Sequence, residues 1–263
     1  MAESTINFDD GAAYERFMGR WSRAVGAIFL DWVAPPQGAH WLDVGCGTGV
    51  FTELIANTCA PASVTALDPS PQQVEYARRQ PIAQRADFRV ADAQELPLAA
   101  ASFDVVASAL VINFIPDRPR ALAEMRRVAR PGGTVAGYVW DFSNESGSNG
   151  PLMRGIRDVG IEPPEVPGTK DSTLQALRGL FERAGFEAIE VRSIDVINSF
   201  ADFDDFWRSQ TPAFSPVGKF IATLTEARRR QVMEAVRAGL PPRPDGTIAY
   251  SARANAVKAR VPG

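Results

Sequence analysis

The sequence predicts a doubly wound α/β fold, in which a mostly parallel sheet of seven strands carries helices on both faces. Three observations favour this class. Strand-length apolar runs alternate with helical patterns, a glycine-rich loop directly follows the first run, and acidic residues follow several of the runs. Two later stretches with alternating apolar residues, 187–197 and 248–261, bring the number of expected strands to seven.

Five apolar runs supply the strands of the first half of the chain. Between them, residues 51–58, 71–80 and 118–129 repeat apolar side chains about every 3.6 positions, which is typical of helices. Ser70 followed by Pro71 is a typical helix start. This alternation indicates βαβ units around a parallel sheet. The runs are residues 41–44, 64–67, 88–91, 103–109 and 135–140.

Composition and charge favour a small or neutral ligand. The 263 residues are 45% hydrophobic and carry a net charge of −3, so no overall positive field would attract nucleic acid. The sequence indicates neither a signal peptide nor a membrane span. Cys46 and Cys59 form no disulfide framework, and no cluster has metal-ligand spacing. We expect a reduced, cytoplasmic protein, a monomer or homodimer, that binds no metal.

The glycine-rich loop is the most informative motif. Residues 41–49, WLDVGCGTG, place Gly45, Gly47 and Gly49 at alternate positions between a strand and a helix. Glycines permit positive φ and a close approach of the backbone to a ligand, and the amino end of the next helix favours negative ligand atoms. Dinucleotide-binding loops follow the wider spacing G-x-G-x-x-G, so this loop disfavours NAD.

Three acidic residues are expected at one edge of the sheet. Asp43 precedes the glycines, Asp68 follows the second run and Asp92 follows the third. Ligands of open α/β sheets bind outside the carboxyl ends of the parallel strands, so these carboxylates should face one crevice. Such a site suits a cation that carries hydroxyl and amino groups, and it disfavours a diphosphate.

These motifs, in this order, resemble those of class I S-adenosylmethionine (SAM) methyltransferases, and especially their ubiquinone/menaquinone-biosynthesis-like subgroup. The resemblance is strong over about residues 10–140 and weaker over FERAGF at 181–186 and the last strand. It implies the Rossmann-like methyltransferase fold with an antiparallel last strand, SAM as cofactor and S-adenosylhomocysteine (SAH) as product. Besides the glycine loop, the motifs are ALDPS at 66–70, ADAQELP at 91–97, SFDVV at 102–106 and RPGG at 130–133.

The resemblance also implies roles for the matched residues. The three loop glycines would wrap the methionine part of SAM, and Asp43 would hold its ammonium group. Asp68 would accept hydrogen bonds from the ribose hydroxyls, and Asp92 from the adenine amino group. In the amino-terminal segment, Arg20 would pair with the cofactor carboxylate and Tyr14 would reach the methyl group. The other residues assigned to the cofactor are Cys46, Pro69, Ala93 and Ala109.

The sequence indicates the residues that bind the methyl acceptor less clearly than those that bind the cofactor. Many relatives carry a histidine after the fourth strand, where this chain has Asn113, which cannot remove a proton. The only histidine, His40, precedes the first strand and is interpreted as structural. Tyr14 and Asp141 are therefore the candidate catalytic residues, although a mechanism without a protein base stays open. The candidate substrate-contacting residues are Trp21, Asn113, Phe142 and Trp207.

Turn-rich stretches predict four parts. Residues 1–40 form a helical cap, 41–142 the SAM-binding core, and 143–170 an irregular insertion. Residues 171–263 complete the core and include a helical lid at about 200–247.

The predicted function is SAM-dependent methyl transfer to O, N or C of a small, apolar or aromatic molecule. Two alternatives stay open, because fold alone does not determine function. The first is a non-catalytic module that binds SAM or SAH, which Asn113 and the lack of an evident base favour. The second is a nucleotide-dependent oxidoreductase, which the loop spacing disfavours.

Overall fold

Seven strands of the described residues form a single sheet. The computed structural model describes residues 15–143 and 145–263. The strands are β1 (His40–Val44), β2 (Ser63–Asp68), β3 (Asp87–Val90), β4 (Phe103–Ala109), β5 (Ala129–Trp140), β6 (Glu187–Phe200) and β7 (Ile248–Arg260). Their order is β3-β2-β1-β4-β5-β7-β6. Strands β1 to β5 are parallel, and β7 is antiparallel to both β5 and β6, so the predicted fold class is confirmed.

Helices cover both faces of the sheet. They are α1 (Arg20–Val33), α2 (Val50–Thr58), α3 (Pro71–Arg78), α4 (Arg118–Val128), α5 (Gly150–Asp158), α6 (Leu174–Arg183), α7 (Phe203–Gln210), α8 (Pro216–Thr223) and α9 (Glu226–Gly239), and a π-helical turn, Glu15–Gly19, precedes α1. Ser70 caps α3 by accepting a hydrogen bond from Gln73 N (3.3 Å), with Pro71 at the first helical position. Thr173 and Asp117 cap α6 and α4 in the same way.

The core lies on both faces of the sheet because successive strand residues point to opposite sides. Trp41 and Tyr138 pack with α1 and α2, whereas Leu42 and Val139 pack with α4 and α6. All four side chains are fully buried. Full burial of an apolar side chain stabilises the fold by about 1.5–3 kcal/mol, so the sheet is a firm platform for groups at its edges.

The helices of the predicted lid pack against the predicted insertion. The stretch 143–170, expected to be irregular, contains the helix α5. Gly155 of α5 lies directly against Val236 of α9, and a Cβ at Gly155 would collide with that side chain. The division into four parts stays a prediction. No helix within the described ranges is long and apolar enough to cross a bilayer.

Candidate functional site

The glycine loop turns tightly between β1 and α2. Gly45, Gly47 and Gly49 have φ of +81°, +53° and +89°, a region that costs other residues about 1–2 kcal/mol each. Gly45 N donates a hydrogen bond to Leu67 O (2.7 Å), which fixes the loop to β2. A Cβ on Gly45 would lie 2.5 Å from Val111 Cγ2, so glycine is required here by both conformation and space.

Asp43 is fully buried at the end of β1, and only one of its oxygens is bonded. Its Oδ2 accepts a hydrogen bond from Thr52 Oγ1 (2.6 Å), whereas no described residue bonds to Oδ1. Burial raises the pKa of Asp43 from 3.8 to about 7; the Thr52 hydrogen bond opposes this rise and the charge of Asp68 adds to it. A buried carboxylate with a free oxygen fits a cationic ligand group.

Asp68 ties the glycine loop to the end of β2. Its Oδ2 accepts a hydrogen bond from Gly47 N (2.9 Å), and its Oδ1 accepts one from Ser70 N (2.9 Å). Burial raises the pKa of Asp68, while these two hydrogen bonds lower it. Each carboxylate oxygen has two lone pairs, so Asp68 retains the capacity to accept further hydrogen bonds.

The end of β3 lies beside Asp68. Ala91 N donates to Asp68 O (3.1 Å), which brings the following residues to the same edge. Asp92 is exposed there, and its Oδ1 accepts a hydrogen bond from Gln94 N (2.8 Å). Ala93 is buried. The sheet therefore brings Asp43, Asp68 and Asp92 to one edge, as the strand ends predict.

Pro69, Cys46 and Ala109 complete this edge. Pro69 is exposed directly after Asp68, and Ala109 is half-buried at the last position of β4. Cys46 is buried, and burial together with the charges of Asp43 and Asp68 raises the pKa of its thiol well above the usual value. Cys46 therefore contributes backbone and shape to the loop, not a reactive thiolate.

Arg20, a predicted cofactor residue, does not contact the glycine loop. Arg20 donates to Asp205 Oδ2 (3.2 Å) and to Ser199 O (3.3 Å), and its guanidinium lies 5.5 Å from the centre of the Phe200 ring. The structure thus joins Arg20 to the predicted lid through an exposed ion pair, and its pairing with a cofactor carboxylate stays a prediction. Tyr14 lies outside the described residues.

Trp21 and Trp207, predicted to contact substrate, pack in aromatic clusters. Trp21 is fully buried and meets Trp140 edge to face at 5.7 Å between ring centres. Trp207, half-buried in α7, stacks on Phe203 at 6.0 Å. Trp21 thus joins α1 to β5, whereas Trp207 packs on a residue of its own helix, and the contact of either residue with an acceptor stays a prediction.

Asp141 and His40 are both held by local hydrogen bonds. Asp141 Oδ1 accepts from Ser143 N (3.1 Å) and Ser143 Oγ (2.5 Å), which forms a turn just after β5. His40 Nδ1 lies 2.8 Å from Ser63 Oγ, at the first residues of β1 and β2. That edge is opposite to the glycine loop, in agreement with a structural role.

A pocket of about 770 Å³ opens beyond the carboxyl end of β5, between α5 and residues 162–169. Phe142, predicted to contact substrate, lines it together with apolar residues that include Met153 and Val166. Its charged wall includes an ion pair between Arg157 and Glu145. Seven of its twelve lining residues are polar or charged, three of them glutamates, so the wall of the pocket mixes apolar and polar groups.

Asn113 lies behind this pocket, in a short 3₁₀ turn after β4. It is 1% exposed, and neither its Oδ1 nor its Nδ2 has a hydrogen-bond partner in the described part of the chain. Its neighbour Phe114 meets Phe142 of the pocket edge to face, at 6.4 Å between ring centres. Asn113 is thus close to the pocket but covered.

Sequence reasoning missed Thr52 and Arg118. Thr52 is a fully buried polar residue on the apolar face of α2, and that pattern is a signal that could have identified it. Arg118 bonds to Asn113 O (2.7 Å) and pairs with Asp171 (3.2 Å). No local signal marks Arg118, because both partners are defined only by the fold. No metal-binding group of His, Cys, Asp or Glu occurs among the residues described.

The glycine loop and the four strands around it lie within a stretch that matches a known family. Residues 42–137 match the model described as a methyltransferase domain. The chain is also 32% identical over 162 residues to the O-methyltransferase rstn1 of Aspergillus nomiae, a match that covers 60% of this chain and 68% of that protein. The chain belongs to the methyltransferase domain family.

Further comparisons place this family member among proteins of similar sequence and fold. It is 36% identical over 169 residues to the O-methyltransferase cnsE of Penicillium expansum, covering 62% of this chain and 57% of that protein. The chain spans about half the length of several curated relatives that it matches. Its fold is similar to that of phosphoethanolamine N-methyltransferase 2 of Haemonchus contortus in complex with SAM, with a TM-score of 0.59 and 19% identity, over 96% of this chain and 57% of that one.

Proposed function

We propose that this chain is a class I SAM-dependent methyltransferase that acts on a small molecule. Asp43 carries the proposal, since it is a fully buried carboxylate whose Oδ1 is unbonded among the described residues, at the base of a loop with three positive-φ glycines. A cationic amino group is the natural partner of such an oxygen. Membership of the methyltransferase domain family supports the same cofactor.

The residues that would hold SAM lie along the carboxyl edge of β1 to β4. Asp43 would accept the ammonium group, and the loop amides at the start of α2 would meet the carboxylate. Asp68 would accept the ribose hydroxyls with its remaining lone pairs, and Asp92 with the backbone of Ala93 would hold the adenine. When bound, SAM supplies a methyl group activated by its positive sulfonium.

We propose that the pocket beside Phe142 binds the methyl acceptor. It opens at the same edge as the glycine loop, and its volume of about 770 Å³ suits a small molecule. The names of similar proteins, O-methyltransferases of two fungi, favour an oxygen atom as the acceptor. The motifs at 91–97 and 102–106 support the ubiquinone/menaquinone-biosynthesis-like subgroup, and the free thiols of Cys46 and Cys59 fit a cytoplasmic location.

Positioning and exclusion of water would supply most of the rate acceleration. The acceptor atom would take the methyl group that bound SAM supplies, SAH would keep the electron pair of the broken carbon–sulfur bond, and the proton of the methylated acceptor would pass to solvent when the site opens. Asp141 is held by Ser143 in a turn, which weakens its candidacy as the base. Asn113 takes up no proton, so a mechanism without a protein base is the one we favour.

The proposal is tested by methyl transfer from SAM to a panel of phenols, alcohols and amines, with SAH formation as the readout. We expect SAH to form only when an acceptor is present, and Asp43→Ala to abolish its formation. As a matched control, Asp87→Ala changes an exposed acid that pairs with Arg89 at the start of β3, and should leave turnover unchanged. Turnover that survives Asp43→Ala would contradict the proposed site.

A second candidate is a module that binds SAM or SAH without catalysis. The covered position of Asn113 and the local bonds of Asp141 favour it. It predicts binding of both molecules with no methylated product from any member of the panel, and one productive acceptor would exclude it.

A further inference from the structure

Asn113 carries a buried amide beside a residue of the apolar core. Its flanking residue Ile112 is 2% exposed and belongs to the apolar core. Neither the donor nor the acceptor of the Asn113 side chain is bonded within the described ranges. Buried amides are almost always hydrogen-bonded, because an unbonded one opposes folding. An apolar residue would therefore make a more stable protein at this position.

One segment covers Asn113. We call residues 163–171 the cover segment. A Cβ on Gly168 would collide with the carbonyl oxygen of Asn113 and lie 2.8 Å from its Cβ, so the cover lies directly on this residue. Arg118 links the two, since it donates to Asn113 O (2.7 Å) and pairs with Asp171 at the end of the cover (3.2 Å).

The cover segment also forms a wall of the acceptor pocket. Pro163, Val166 and Thr169 line the pocket, and Gly168, which touches Asn113, lies between the last two. The backbone of the cover segment therefore lies between the pocket and Asn113. The cover segment is linked to α4 by the ion pair of Arg118 and Asp171, whose side chains are 22% and 42% exposed, and pairs that water reaches contribute little to stability.

The carboxamide of Asn113 favours one kind of functional group in the molecule that receives the methyl group. An amide presents a carbonyl oxygen that accepts and an N–H that donates. A hydroxyl group can donate to the first and accept from the second, whereas a carboxylate or a methyl ether can only accept. A hydroxyl therefore satisfies both halves of the Asn113 amide, and its methylated product satisfies one.

We propose that Asn113 is the specificity-determining residue that recognises the hydroxyl group of the acceptor, once the cover segment has moved aside. This inference rests on the proposed function, because it concerns the acceptor of the same reaction. It makes the acceptor a phenol or an alcohol, and it explains why the product leaves. Asn113 positions the hydroxyl oxygen and takes no proton from it.

A first test compares two buried asparagines by thermal unfolding without ligand. Asn255 is 2% exposed, and its amide is satisfied by Ser193 Oγ (2.8 Å) and Ser172 O (2.8 Å). We expect Asn113→Leu to raise the unfolding temperature and Asn255→Leu to lower it. Equal destabilisation by the two variants would overturn the inference, since Asn113 would then be satisfied in the folded protein.

A second test measures binding of phenol and anisole to the SAH-loaded protein by ligand-detected NMR. These probes differ only by the methyl group on oxygen. We expect the native chain to bind phenol at least about tenfold more tightly than anisole, and Asn113→Leu to bind both equally. Equal binding by the native chain, a preference retained in Asn113→Leu, or no binding of either probe would overturn the inference. SAH affinity, measured on both proteins, should not change, and a failure to bind SAH would instead count against the proposed function.

Discussion

The two halves of the candidate site are built in different ways. We call the strand ends that carry Asp43, Asp68 and Asp92 the proposed cofactor edge, and the surroundings of Asn113 and Phe142 the proposed acceptor edge. At the cofactor edge, Asp68 bonds to Gly47 and Ser70, so its side chain and the glycine loop hold each other. At the acceptor edge, Asn113 is covered by Gly168, and Phe142 N donates to Ser172 Oγ (3.1 Å). The contacts of the first half therefore join residues 2 and 21 positions apart, whereas those of the second half join residues 30 and 55 positions apart. We expect the cofactor edge to be rigid and the acceptor edge to rearrange on binding.

The largest effect should come from Gly45→Ala at the cofactor edge. The variant adds a Cβ at positive φ and forces it against Val111, so we expect SAH affinity to fall more than about a hundredfold and the free energy of unfolding to fall by about 2–4 kcal/mol. Calorimetry and urea unfolding measure the two quantities.

Gly38→Ala separates the cost of positive φ from the cost of the collision with Val111. Gly38 has a φ of +71° with no atom within 4 Å of an added Cβ, so this control carries the conformational cost alone. It should lower the free energy of unfolding by about 1–2 kcal/mol and leave SAH binding unchanged. If the two variants behave alike, the close approach to Val111 is not what requires glycine at position 45.

The buried Asp43 should make cofactor binding depend on pH. Its pKa is raised to about 7, but the ammonium group needs the ionised form, so SAH affinity should fall about tenfold for each pH unit below 7. The stability of the protein without ligand changes with pH in the opposite direction. The folded chain retains a proton that the unfolded chain releases, so this stabilisation is complete below about pH 4 and is lost as the pH rises through 7. Asp43→Asn should remove the pH dependence of both SAH affinity and stability. If SAH affinity of that variant still falls steeply below pH 7, Asp43 is not the group that binds the ammonium.

Thr52→Val should weaken the cofactor edge less. The loss of its hydrogen bond leaves Asp43 Oδ2 buried and unbonded, which raises the pKa of Asp43 further and lowers SAH affinity by about 1–3 kcal/mol. Thr52→Ser keeps the hydroxyl and should bind SAH as the native chain does. The pH below which SAH affinity falls should move upward in Thr52→Val. If it does not move, Thr52 does not position the carboxylate of Asp43 for binding.

The smallest effect is expected from Arg20→Ala. Arg20 is 49% exposed and pairs with Asp205 of the lid, and exposed pairs of this kind contribute about 0–1 kcal/mol. SAH affinity should change less than about threefold. A loss of tenfold or more would show that Arg20 leaves Asp205 and binds the cofactor carboxylate, as the family resemblance implies.

The sequence predicted the fold class and the common edge of Asp43, Asp68 and Asp92 because the signals for both are local. A strand, three glycines and a helix specify the turn at residues 44–50, and parallel strands bring Asp43, Asp68 and Asp92 to one edge. The acceptor edge had no such signal. An aromatic residue on an amphipathic helix, such as Trp21, has the same sequence pattern whether it packs in the core or on a ligand. Only the fold shows that Trp21 contacts Trp140. The cover over Asn113 pairs residues more than fifty positions apart, which no local pattern encodes.

The central claim is that SAM binds at the glycine loop, and calorimetry with SAM and SAH tests it most directly. The native chain should bind both with micromolar affinity, and Asp68→Ala should weaken binding by about 1–3 kcal/mol, because hydrogen bonds to a charged group are lost. Asp87→Ala, an exposed acid on the next strand, serves as the control and should bind normally. Binding of neither molecule, equal binding by Asp68→Ala, or binding of NADH in their place would contradict the account.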